Sequence, residues 1–123
     1  MTSAPASTRK NPMSEFNVVI IPQKVVLTDS ATVVVYCAIC LEHFLVGEGK
    51  SASAAMEELQ RVILNTLVAN TRMNQTPFQG VKPAPAGYQS LLEHGEDASR
   101  LCLQDAVEGF SFTLKPVMLH AAA

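Results

Sequence analysis

The residues able to do chemistry are few and scattered. Cys37 and Cys40 form the only C-x-x-C spacing among the three cysteines. Such a pair holds zinc or exchanges electrons when both thiolates converge. Here it lies in the apolar run 33–41 (VVVYCAICL), which reads as a strand. Residues three apart on a strand point to opposite faces, so these thiols are expected to be buried core groups. His43, His94 and His120 show no HxxxH or HExxH spacing, and no metal site is expected. No GxSxG is present. A two-metal nuclease needs carboxylates converging from strand ends. The segment 16–27 has none, and 32–42 offers only Glu42 at its end. Glu57 and Glu58 read as the solvated face of a helix. Gly47-Glu48-Gly49-Lys50-Ser51 looks like the tail of a phosphate loop, but the full GxxxxGK[ST] needs a glycine where Phe44 stands. The chain is therefore expected to have no catalytic residues, no metal and no cofactor, and not to be an enzyme.

Composition narrows the class further. The 123 residues suit one domain. A hydrophobic content of 48% with 16% charged residues excludes a disordered chain. The net charge of −2 argues against a domain that wraps nucleic-acid backbone, so DNA binding is not expected. There is no Trp and only 6% aromatic residues, so the core must be largely aliphatic. An odd number of cysteines in apolar surroundings suits a reducing compartment, and a cytoplasmic protein is expected. The opening MTSAPASTRKNP has no apolar stretch of the kind a secretory signal carries. The longest apolar runs, 18–21 and 33–41, fall short of the roughly 20 residues of a membrane helix. The expected layout is a disordered tail over 1–13 and a single α+β domain over 14–120, with 121–123 frayed.

Several elements must position these residues. Residues 16–27 (FNVVIIPQKVVL) read as a strand that Pro22 makes an edge or bulges. After the turn 28–31, residues 32–42 form a second strand. Its wholly apolar side (Val33, Val35, Cys37, Ile39, Leu41) is expected to face a helix. Residues 44–48 read as a short third strand. Ser51 is a good N-cap for a helix over 52–73, which has no Pro or Gly. Ala52, Ala55, Met56, Leu59, Ile63 and Leu67 make its apolar stripe. Val62, Leu64 and Val68 lie beside that stripe, so a second covered side, supplied by another subunit, is expected. A loop over 74–87 leads to a weaker helical region over 86–106, broken near Gly95. Residues 109–116 alternate as a last strand, with Phe110, Phe112 and Leu114 inward and Pro116 as terminator. The order β-β-β-α-(α)-β implies a two-layer sandwich.

Residues 32–64 (TVVVYCAICLEHFLVGEGKSASAAMEELQRVIL) resemble the core of HicB-like domains, the antitoxin family of bacterial toxin–antitoxin pairs. Cys40-Leu41-Glu42 matches the family's strand-ending segment. Gly49-Lys50-Ser51 matches its turn and helix cap, and Ala55-Met56 with Leu59 its helix. The resemblance implies a degenerate ribonuclease-H-like β-β-β-α-β fold without catalytic residues. It also implies a non-enzymatic module that binds a small basic toxin-type protein and forms a homodimer or larger homo-oligomer. Ser53 and Ala54 stand where an acidic pair is usual, and no ribbon-helix-helix or helix-turn-helix segment is evident. Glu42 and His43 at the turn, and Leu64 and Val68 on the helix, are the expected partner and oligomer contacts. The alternative is a stand-alone small-molecule-binding or enzymatic domain, with a site under the loop 74–90 near Lys82 and Tyr88.

Overall fold

The computed structural model describes residues 13–120. The expected tail, apart from Met13, and the frayed end at 121–123 lie outside the described residues. Six strands form one mixed sheet: β1 (Ser14–Val26), β2 (Thr32–Cys40), β3 (Leu45–Gly49), β4 (Glu96–Asp97), β5 (Leu103–Val107) and β6 (Phe110–Met118). The sheet order is β3-β2-β1-β6-β4, with β5 also paired to β6. Every neighbouring pair is antiparallel except β1 and β6, which run parallel from Ser14↔Phe112 to Ile20↔Met118. A long helix, α1 (Ala52–Arg72), joins β3 to the later elements; a single turn, α2 (Ala86–Gln89), continues as a 3-10 turn over Ser90–Glu93. The fold is α+β, as expected.

The helix forms and docks for local reasons. Ser51 has extended backbone, and its Oγ accepts the Ala54 N–H at 3.0 Å, filling one of the orphan donors of the first turn. Ala55, Met56, Leu59, Ile63 and Leu67 are buried against Phe16, Val18, Ile20, Ala38, Cys40, Phe112 and Leu114. Two glycines let α1 come close to β3. A Cβ on Gly47 would lie 2.6 Å from the Ala55 carbonyl oxygen and would also strike the Leu59 nitrogen. One on Gly49 would lie 2.7 Å from the Ala55 nitrogen. These positions need glycine for space, not for backbone freedom.

That close approach corrects the expected facing of β2. Gly47 is opposite Ala38, so the helix docks where β2 and β3 present small groups. Tyr36, Ala38 and Cys40 face α1, whereas Ile39 and Leu41 pack on the opposite side with Val19. The opposite side has its own cover, made by Ala84, Tyr88, Leu91 and Leu92. Val18, Val19 and Ile20 are all fully buried because β1 is covered on both faces.

Residues 86–106 are also corrected. They contain only short helical turns, and 96–97 and 103–107 are strands. Leu103, Asp105 and Val107 are half-buried while Gln104 and Ala106 are exposed, a period of two. Glu108 and Gly109 both have positive φ (54° and 78°), the backbone of a two-residue hairpin turn whose twist matches its strands.

Neither proline behaves as a simple terminator. The strand continues through Pro116 to Met118, where a stop was expected. Pro116 falls in the gap between the β5 ladder, which stops at Leu114, and the β4 ladder, which starts at Val117. Its carbonyl accepts Ala98 N–H on that side, so its missing N–H falls where no strand asks for one. Pro22 follows the same logic. β1 is central up to Ile20, but at Pro22 only β2 remains beside it.

Candidate interaction surface

Residues 41–44 form the turn between β2 and β3, and each side chain there has a defined partner. Glu42 is committed inward. One carboxylate oxygen accepts the Asn17 backbone N–H and the other its Nδ2 amide, both at 2.8 Å. His43 stacks nearly parallel on Phe78, with ring centroids 3.8 Å apart and 9° between planes, and meets Phe16 edge-on at 5.1 Å. Burial lowers the His43 pKa below its ordinary 6.5, with the Glu42 charge opposing in part. Phe44 turns the other way and packs on Tyr88 at 5.8 Å. On α1, Leu64 is half-buried and packs against the margin of the main core, and Val68 is half-buried. The four residues singled out from the sequence therefore fall on two separate regions, the turn and the helix.

The cysteines do not converge. Cys40 lies in the helix-side core, where burial pushes its thiol up to about 11. Cys37 lies on the other face. Its thiol donates towards Gln23 Oε1 at 3.5 Å and Glu48 Oε2 at 3.6 Å, and desolvation, then the Glu48 charge, raises its pKa. Neither is a thiolate near neutrality. Among the described residues, no group of three or more His, Cys, Asp or Glu is placed to hold a metal. A cavity of about 90 Å³ lies between Asp97, Ser99, Cys102, Lys115 and Pro116. Metabolite pockets usually measure ~300–1,000 Å³, so this one suits a few waters. Beneath the loop 74–90 the sheet meets Ala84 and Tyr88 directly, while the Lys82 side chain is exposed.

The feature that sequence reasoning missed is an apolar ribbon. Beyond Ile20, β1 leaves β6 and continues with β2 alone, pairing Lys24↔Val34, Val25↔Val33 and Val26↔Thr32. Val26 is 71% exposed, and Val25, Leu27, Val33 and Val34 between 39% and 44%. By strand alternation Val25 and Val33 lie on one face and Val26 and Val34 on the other, so both faces are apolar. Lys24 and Asp29 are the only charged residues in 22–35. The ribbon's end is well tied. Asp29 Oδ1 accepts the Ala31 N–H, Leu27 N–H donates to the Ala31 carbonyl, and Ser30 takes φ 70°. The signal was in the sequence: VVL at 25–27 and TVVV at 32–35 lack the polar alternation of a half-buried strand.

Among the described residues, no helix is long and apolar enough to cross a membrane. No protein-family model, curated protein or solved structure matches the chain.

Proposed function

We propose that the chain is a non-enzymatic protein-binding module that self-associates through the β1–β2 ribbon. The carrying observation is the run of exposed valines and a leucine on both faces of that ribbon. An apolar surface of this kind on a folded domain usually marks a protein contact, and left open it is a site of aggregation. Fully burying one such side chain contributes about 1.5–3 kcal/mol. The sheet order, with β1 parallel to the strand that follows the helix, is compatible with the HicB-like reading. On that reading a small basic toxin-type protein is the second partner, approaching the turn at Glu42 and His43.

Light scattering on the purified protein and on a Val26→Glu/Val34→Glu variant tests self-association. Both side chains are exposed, so the variant keeps its fold, checked by circular dichroism. The wild type is expected at a mass of at least a dimer and the variant at the monomer's 13.2 kDa. A monomeric wild type overturns the ribbon as the contact. A pull-down from native cytosol reads the second partner; a stoichiometric small basic protein is the expected outcome.

A further inference from the structure

The β1–β2 ribbon has two open backbone edges, and they are not alike. The Asn17 carbonyl accepts the Leu41 N–H on the β2 side of β1, and the Ile20 carbonyl accepts the Leu119 N–H on the β6 side. Backbone groups alternate in direction along a strand, so Gln23 and Val25 point to β2 while Lys24 and Val26 point away from it. In register with them, Val33 and Val35 point to β1, and Thr32 and Val34 point outward. The β6 ladder stops beside Ile20 and the β3 ladder beside Tyr36, so no strand of the described residues pairs with either edge of the ribbon. The β1 edge is blunted. Pro22 brings no N–H to it and Lys24 sets a charge on it, two devices that discourage strand addition. The β2 edge has neither. It offers the N–H and C=O of Thr32 and Val34, both β-branched and both exposed.

We propose that two copies of the chain join through the β2 edge, antiparallel about Val33, into one continuous sheet in the order β1-β2-β2-β1. This rests on the reading of the ribbon as a self-association surface and names its mode. With Val33 opposite its own copy, Thr32 pairs with the partner's Val34 and Val34 with the partner's Thr32. Each pair exchanges two backbone bonds, so every open N–H and C=O on the two edges is used. The neighbouring registers are closed. A shift one way needs Tyr36, which Gly49 already pairs. A shift the other way needs Ser30, whose φ of 70° belongs to the turn and not to a strand. The side chains agree with the same register. On one face Val25 and Val33 continue into the partner's Val33 and the partner's Val25, a row of four valines across the joint. On the other face Lys24 and Val34 meet the partner's Thr32 and the partner's Val26, so the two lysines lie in different rows and do not oppose one another. The contact is isologous and closes at two copies, with the blunted β1 edges as the outer margins of the shared ribbon.

Disulfide trapping and light scattering on the full chain test it. In this register Val33 and its copy form a non-hydrogen-bonded pair with Cα atoms ~4.5 Å apart, within reach of a disulfide. In a Cys102→Ser chain, whose other cysteines are buried, Val33→Cys is expected to give a covalent species of twice 13.2 kDa on mild oxidation. Val25→Cys is expected to stay monomeric on the same non-reducing gel, because Val25 and its copy lie three strand spacings apart, roughly 14 Å. Val34→Pro removes one outward N–H and leaves the β1–β2 ladder intact, since Val33 and Val35 carry that ladder. Its mass by light scattering is expected to fall to the monomer's. Lys24→Pro makes the same change on the β1 edge and is expected to remain a dimer. Circular dichroism checks both folds; should Val34→Pro not fold, the cross-linking pair decides. A dimeric wild type that gives no cross-link with Val33→Cys, cross-links with Val25→Cys instead, or persists as a dimer in Val34→Pro overturns the edge while leaving the ribbon as the contact. A monomeric wild type overturns both.

Discussion

Cys37, Cys40 and Cys102 sit in three different environments, and their reactivity should differ accordingly. Cys40 is fully enclosed under α1, and Cys37 is buried under Gln23 and Glu48 with a raised pKa; Cys102 is exposed. A thiol reagent added to the native protein at neutral pH is expected to label Cys102 at once and the other two only after denaturation. Prompt labelling of Cys37 would mean that its face opens in solution. The sequence expected Cys37 and Cys40 to be buried core thiols on opposite faces of a strand, and both are buried and separated in that way. The true partners of Cys37 were not visible. Gln23 is 14 residues away and Glu48 11, and only the β1–β2–β3 registers bring them together. Glu42 was legible as a notable turn residue, but its commitment to Asn17 rests on a contact 25 residues apart.

Elements were read best where local chemistry sets them. The Ser51 cap and the unbroken apolar stripe gave α1 to within a residue of its end, since both signals lie within a few residues of one another. Residues 96–107 were misread because β4 and β5 exist only through pairing with β6. Glu108-Gly109 was the missed hint. The docking of α1 rests on Gly47. Gly47→Ala forces α1 and β3 apart and is expected to lower stability by about 3 kcal/mol or more, at the upper end for overpacked sites. Denaturant unfolding checks this, and a loss below ~1 kcal/mol would show that helix and sheet are not so tightly apposed.

At the scale of the whole molecule, stability and assembly are coupled if the ribbon is an interface. The wild-type melting temperature is then expected to rise with protein concentration by mass action, and that of Val26→Glu/Val34→Glu to stay constant. Identical behaviour of the two would place the contact elsewhere. The Leu64→Glu/Val68→Glu pair reads the helix surface, but Leu64 also packs on the core margin, so a loss of folding in that variant is expected alongside any change in mass. The sequence by itself determined the α+β class, the first three strands and the long helix, because hydrophobic period and capping are short-range properties. Only the tertiary structure decided which face of β2 meets the helix, where β1 stops being covered, and which aromatic rings enclose His43. Those outcomes depend on strand register, on the room left by Gly47 and Gly49, and on where β6 runs out beside β1. Each is a contact between residues far apart in the chain, which no local pattern encodes.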